Sequence, residues 1–312
     1  MKTIRNYDMA EILGIPTKSF FPKAVEYLQR KPLEYAAVSY REQQACILEI
    51  MKILDENDGG IPESGPRRIG QWEDGWKENL DEFIQTESIE SLIPKYNFTK
   101  NSKYLRFKGE FIKPSKPSFE YDFYTVVRLF LFQKYFKDVS SIIEFGCGTG
   151  TSLLILSDLF PDKLLTGCDW AGSSISIIEQ LSLKKNEKIG AIKFDMFHPN
   201  PIDISEGCGI VTMHAMEQLG VNFEPFLNFM ISKNPSICLH LEPISEFYDM
   251  DNALDSLAKK YHEKRGYLSG FLTSLLELEK QHCVSIIEAR RLFFGSFFHE
   301  GYSLIVWKPE RN

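Results

Sequence analysis

The segment Glu144-Phe145-Gly146-Cys147-Gly148-Thr149-Gly150 gathers residue types suited to ligand binding at a backbone turn. Three glycines at alternate positions let the main chain turn tightly and let a ligand lie directly against it. A carboxylate, Glu144, opens the run. Two further acids, Asp169 and Asp195, close the next two β-rich runs, and Asp169 follows Gly150 by 19 residues. An acid there can accept both hydroxyls of a ribose, whichever nucleoside ligand carries it. Asp195 offers an acceptor for an adenine amino group, with Met196 beside the ring. The G-x-G-x-G spacing departs from the G-x-G-x-x-G dinucleotide fingerprint. A carboxylate beside the glycines would repel a pyrophosphate and suits a ligand bearing positive charge.

A second set of candidates could handle protons. His214, Glu217 and Gln218 follow one apolar run, and Glu242 and Pro243 follow the next. Ser296, His299 and Glu300 lie between the last two. If these runs are parallel strands, His214, Glu217, Glu242 and His299 converge on one cleft. There His214 or Glu217 could orient or deprotonate a hydroxyl or ammonium. Each also has a structural reading: a strand-end hydrogen bond, a helix cap, a turn residue, a solvated loop residue. No metal site is expected, because the six cysteines and six histidines make no zinc-ligand spacing.

The elements that must position these groups follow from periodicity. Residues 138–312 read as alternating strands and helices: strands at Ser140–Phe145, Leu164–Asp169, Ala191–Asp195, Gly209–Met213 and Ser236–Leu241. Helices fall at Thr151–Phe160, Ser173–Leu183, Phe223–Ser232 and within 250–280. Two final strands, His282–Leu292 and Tyr302–Trp307, have no helix between them and must form an antiparallel hairpin. The expected fold is α/β: a doubly wound, seven-stranded, mostly parallel sheet with an antiparallel C-terminal hairpin. Residues 1–137 read as a helical, aromatic-rich region. Arg41–Asn57 is an amphipathic helix ended by Asp58-Gly59-Gly60, and Phe119–Lys137 is a second long helix.

Composition excludes several classes. Hydrophobic residues at 43% and charged residues at 25% are those of an ordinary globular protein rather than a disordered or membrane-spanning one. A net charge of −7 argues against nucleic acid as the main partner. The first 18 residues carry charges throughout and read as no signal peptide, and no apolar run is long enough to cross a bilayer. With cysteines that read as buried and reduced, this points to a cytoplasmic protein without a membrane partner. The sequence sets no oligomeric state. Aromatics, 13% of the chain, cluster before the sheet (Phe20, Phe21, Trp72, Trp76, Tyr96, Phe98, Phe119–Tyr124) and around the last turn (Phe293–Phe298, Tyr302). A closed, water-excluding substrate pocket is expected there.

The glycine run resembles the first motif of class I S-adenosylmethionine-dependent methyltransferases. Cys168-Asp169-Trp170 resembles their second motif and Phe194-Asp195-Met196 their third. The terminal hairpin is similar to their reversed seventh strand, and the likeness runs from about Ser140 to Trp307. It implies S-adenosylmethionine as cofactor. Gly146, Cys147, Gly148 and Gly150 would lie against its methionyl part and ribose, with Glu144 near the amino group. Asp169 would hold the ribose, Trp170 and Met196 would pack on adenine, and Asp195 would take its amino group. Thr212-Met213-His214-Ala215 stands where enzymes that methylate nucleobases or glutamine carry Asn-Pro-Pro-Tyr. A small-molecule acceptor is therefore expected, methylated on oxygen or nitrogen. Arg68–Phe83 and Phe294–Lys308 resemble segments of bacterial methyltransferases of sugar or secondary-metabolite pathways. Two alternatives remain: an NAD-dependent oxidoreductase, and a cofactor-binding regulatory module without turnover. Outside the motifs, Trp72 and Trp76 read mainly as packing, as do Tyr267, Phe271 and Leu275. Arg67 and Arg68 read as solvated or, if functional, as anchors for a substrate carboxylate or phosphate.

Overall fold

The computed structural model describes residues 1–16, 21–56, 61–95, 103–185 and 188–310. The expected helix end at Asp58-Gly59-Gly60, and Phe20, Tyr96 and Phe98, lie outside the described residues. The first part runs β1 (Lys2–Ile4), α1 (Asn6–Ile12), α2 (Pro22–Arg30), β2 (Leu33–Ala37), α3 (Tyr40–Asp55), α4 (Ile69–Thr86), β3 (Leu105–Phe107), β4 (Glu110–Pro114) and α5 (Phe119–Tyr135). The second continues with β5 (Ser141–Phe145), α6 (Thr151–Leu159), β6 (Leu164–Asp169), α7 (Gly172–Lys185), β7 (Ile189–Lys193), β8 (Gly209–Met213) and α8 (Glu224–Ser232). It ends with β9 (Ile237–Glu242), α9 (Ala253–Arg265), α10 (Phe271–Lys280), β10 (Val284–Arg291), β11 (Phe294–Gly295) and β12 (Ser303–Pro309).

The larger sheet has seven strands in the order β10-β12-β9-β8-β5-β6-β7. β5, β6, β7, β8 and β9 pair in parallel, while β12 runs antiparallel to both β9 and β10. The chain reverses direction of travel across the sheet at β5, which lies between β6 and β8. That switch point puts the β5, β6 and β8 loops on one rim, where ligands of such sheets bind. The central strands are buried along their whole length, as a sheet covered on both faces requires.

The first 137 residues are not simply helical. They hold most of a second sheet, five antiparallel strands in the order β1-β2-β4-β3-β11. Lys108 and Gly109, at φ +52° and +78°, form the two-residue turn between β3 and β4. Positive φ at both central positions matches the twist of a tight hairpin. These strands are only three to five residues long, too short to print a clear alternation. The fifth strand comes from the loop between β10 and β12, so the C-terminal hairpin reaches into the N-terminal sheet. Within α5 eleven residues are buried, and the core it joins is continuous from Ile4 to Val306. This is where much of the aromatic content goes: Phe294 stacks on Phe123 at 3.7 Å between ring centres and meets Tyr302 edge-on.

β7 also differs from the sequence reading. It spans Ile189–Lys193, two residues earlier than expected, and Asp195 falls in the turn beyond it. As an edge strand that pairs only with β6, it takes its register from Leu165↔Ile189 through Asp169↔Lys193.

Candidate functional site

A cavity of about 100 Å³ opens at the rim above β5, β6 and β8. Gly146, Cys147 and Gly148 form part of its floor, with Glu144, Asp169, Trp170, Met196 and His214 around them. Gly146 sits at φ +72°, and a Cβ there would come within 2.2 Å of the Ala215 methyl. The two loops thus approach as closely as only glycine allows. Gly150, also at positive φ, caps α6, and a Cβ there would strike Ile178 at 2.4 Å. Its role is to let α7 pack against the turn; it does not line the cavity, contrary to what the motif implied.

The acids of the motif have distinct surroundings. Glu144 is buried, and its Oε2 has no hydrogen-bond partner. Burial raises its pKa to about 8, while Ser152 and Arg128 oppose the shift. Asp169 accepts from the amides of Gly148 and Ala171, both at 2.9 Å, and so ties the glycine turn to the end of β6. Burial lifts it to about 6 against those hydrogen bonds. Asp195 does not reach the cavity. Its carboxylate accepts from the Phe197 amide and pairs with His198, both within its own turn. Met196, Phe197 and Trp170 do line the wall, the last two stacked with ring planes 21° apart. Cys147 lines the floor, but burial holds its thiol well above the ordinary range, so it is no nucleophile at neutral pH.

A second cavity, about 540 Å³, adjoins the first. Trp72, Trp76, Tyr124, Met213 and His214 border both. His214 follows β8 in a left-handed conformation, φ +55°, and its amide bonds the Leu241 carbonyl. A non-glycine residue in that region is strained, and such strain concentrates at functional sites. The turn sends the ring between Tyr124 and Tyr302, and its Nε2 is buried without a hydrogen-bond partner. Burial lowers its pKa to about 4, so the imidazole is neutral at neutral pH. Glu217 borders the second cavity, 4.0 Å from His214 Nδ1. Burial pushes it up to about 7, with Arg265 and Arg68 pulling the other way.

His299 borders the same cavity, and its Nδ1 is 2.8 Å from His262 Nε2. Glu242 does not face either cavity. It is fully buried, and its two oxygens accept from the amides of Ala215 and Glu217. It therefore braces the loop that carries His214 and Glu217. Three of the four proton-handling candidates meet at the second cavity, and the fourth holds two of them in place.

The sequence did not single out Glu120, which lines the second cavity from α5; Tyr124 on the same helix and Tyr302, just before β12, are among the aromatics expected around a substrate pocket and line this cavity too. Burial lifts Glu120 to about 7. Nor did it reveal the role of Glu73. Its carboxylate accepts from the amides of Gly172 and Ser173 at 2.6 and 2.9 Å, capping α7 from α4. That clasp lays Trp72 and Trp76 over the glycine turn, where a Cβ on Gly148 would meet the Trp76 ring at 3.1 Å. Their four-residue spacing was the available signal, and it reads equally as packing.

Among the described residues no group of His, Cys, Asp or Glu could hold a metal ion, and no helix is long and apolar enough to cross a membrane. No protein-family model and no curated protein matches the chain. Solved structures do. The 4+2 cyclase SpnF aligns with a TM-score of 0.51 at 12% identity, over 81% of this chain and 100% of its own. The plantazolicin methyltransferase BpumL, in complex with S-adenosylhomocysteine and a monoazolic desmethylPZN analogue, aligns at 0.45 and 14% identity, over 79% and 98%. The O-methyltransferase NcsB1 from neocarzinostatin biosynthesis, in complex with S-adenosylmethionine, aligns at 0.41 and 16%, over 98% and 89%. The strand order and the reversed seventh strand are those of the class I S-adenosylmethionine-dependent methyltransferase fold.

Proposed function

We propose that the chain binds S-adenosylmethionine in the glycine-turn cavity and transfers its methyl group to a small polar molecule in the adjoining one. The acceptor atom is an oxygen or nitrogen, as on a sugar or other polar metabolite. The observation that carries this reading is Glu144 Oε2, buried at the glycine turn without a partner. An ionised carboxylate in that setting calls for a cationic ligand group such as the amino acid ammonium. The cavity lined by Gly146 and Gly148, the Asp169 carboxylate and the Trp170–Phe197 wall suit the methionyl, ribose and adenine parts in turn. When bound, the cofactor supplies an electrophilic methyl group on a sulfonium.

The chain's own residues do the rest. His214 stands at the junction of the two cavities, with Nε2 free to accept the acceptor's proton and Glu217 behind it to stabilise the resulting imidazolium. Trp72, Trp76 and Tyr124 narrow the passage and keep water out. In this reading residues 1–137 are the substrate and lid region, and residues 138–312 the catalytic domain. The described cysteines are all free, which suits a reducing cytoplasm.

Calorimetric titration of the purified chain with S-adenosylmethionine, S-adenosylhomocysteine and NADH tests the reading. Binding of the first two and loss of that binding in Glu144→Ala are expected. Tight NADH binding without either would make the chain an oxidoreductase instead. Incubation of labelled cofactor with a metabolite extract tests turnover, and absence of transfer to any acceptor would favour a regulatory module.

A further inference from the structure

We infer that the second cavity grips an oxyanion of the acceptor, a carboxylate or a phosphate, between Arg68 and Arg265. The inference deepens the acceptor-site reading of that cavity and rests on it. Arg68 immediately precedes α4 and Arg265 ends α9, so the two guanidiniums enter one cavity from separate elements. Arg265 is 8% exposed. It donates through Nη1 to the Pro62 carbonyl, and its buried Nε has no hydrogen-bond partner. Arg68 donates through Nε to Gln71 and lies over the Trp72 ring at 5.2 Å. Arg265 lies over the Tyr267 ring at 4.9 Å.

Among the described residues, neither guanidinium forms an ion pair with a carboxylate. Arg291 makes the contrast. Equally buried, it bonds both oxygens of Asp255 and one of Glu300. Charges withdrawn from water are ordinarily paired, because an unpaired one forfeits its hydration with nothing to replace it. Here two like charges share one partly dry space, and burial together with Arg265 pulls the Arg68 pKa down. Glu217 and Glu120 border the cavity with them, and with pKa values near 7 each neutralises only part of that charge, while Glu78 pairs with Lys95 on the same wall. The cavity is left with surplus positive charge and fork-shaped donors, the geometry that binds carboxylate or phosphate oxygens two at a time. Other aromatic side chains of the same cavity, Tyr124, Tyr261 and Phe298, suit a flat ligand body.

The test titrates the full chain, with and without S-adenosylhomocysteine, with benzoate, phenyl phosphate and uncharged benzamide. At least one charged probe is expected to bind tenfold or more tightly than benzamide, and the stronger of the two shows whether the group is carboxylate or phosphate. Arg68→Gln is expected to remove that preference, and Arg68→Lys to keep part of it. Arg265→Gln is the second variant, read only if its circular dichroism matches the wild type, because Arg265 also ties down Pro62. Equal affinity for all three probes, or an unchanged preference in Arg68→Gln, would overturn the inference. S-adenosylhomocysteine affinity is measured separately in the wild type. Its absence would count against the methyltransferase reading and leave the anion preference to be judged by its own titrations.

Discussion

His214 presents Nδ1 to Glu217 Oε2 at 4.0 Å, while its opposite nitrogen, Nε2, is buried with no partner in the wall shared by the two cavities. A neutral imidazole backed by a carboxylate can accept a proton on its free side and be stabilised from behind. Replacing His214 by Ala is expected to lower turnover by about 10²- to 10⁴-fold, the range for positioned acid–base groups. Glu217→Ala is expected to fall in the same range or somewhat less. S-adenosylhomocysteine affinity should change little in either. Label transfer from cofactor to acceptor measures the first effect and calorimetry the second. Undiminished turnover in both variants would remove the pair from the chemistry.

Glu242 works one step further back. Its carboxylate holds the amides of Ala215 and Glu217 while burial keeps its pKa up to about 8. Glu242→Ala leaves two buried donors unsatisfied, at about 1–3 kcal/mol for such groups. The variant should therefore lose stability in denaturant as well as turnover, and Glu242→Gln should recover most of the stability. Wild-type stability combined with lost turnover in Glu242→Ala would instead make Glu242 a participant in proton transfer.

The meeting of His214 and Glu217 at one cavity was legible in the sequence because strand ends in an alternating β/α pattern converge on one rim. The same logic over-reached at Glu242. Strand order places a residue at the rim but does not say whether its side chain turns outward or inward. Asp195 was placed differently for a related reason: a two-residue slip of an edge strand carried it into a turn where its carboxylate bonds the Phe197 amide and His198. The glycine turn and Asp169 were readable because their contacts are local in pattern. Glu73 was not, since it caps a helix nearly 100 residues away in sequence. The small N-terminal sheet was hidden by short strands, although the Lys108-Gly109 turn carried a hairpin signal.

Glu73 joins α4 to the first turn of α7, where a carboxylate also faces the positive end of the helix. Glu73→Ala is expected to cost about 0.5–2 kcal/mol of stability, the range for a lost cap. Its sharper signature should be local. Amide hydrogen exchange should rise across α4 while β5 and β8 stay protected, and cofactor affinity should fall because Trp72 and Trp76 lose their anchorage. Unchanged exchange in α4 would show that the clasp does not hold the cover.

Five buried acids set a pH dependence whose sign can be worked out; Glu120, at about 7, and Asp169, at about 6, act in the same sense as the three named next. Glu144 and Glu242 titrate at about 8 and Glu217 at about 7 in the folded chain, all raised by burial above an ordinary 4.5. Folding favours their protonated forms, so the stability they contribute is complete below about pH 4.5 and is lost as pH rises through 7 to 8. His214, at about 4, and His240, at about 3, act in the opposite sense. Their contribution is complete above 6.5 and falls away in acid. The two trends oppose each other between pH 4.5 and 6.5, whereas above 6.5 only the acids still titrate. The melting temperature of the ligand-free protein should therefore fall between pH 6.5 and 8.5. Cofactor affinity should move the other way. A ligand ammonium at Glu144 requires the ionised carboxylate, so the association constant should rise with pH up to about 8, by at most about tenfold per unit, and then level off. Calorimetry across pH 6 to 9, in buffers of differing ionisation enthalpy, should register a proton released on binding at pH 7. Glu144→Gln should bind more weakly and lose the pH slope. A slope that persists in Glu144→Gln would place the titrating group elsewhere, with Asp169, at about 6, the next candidate.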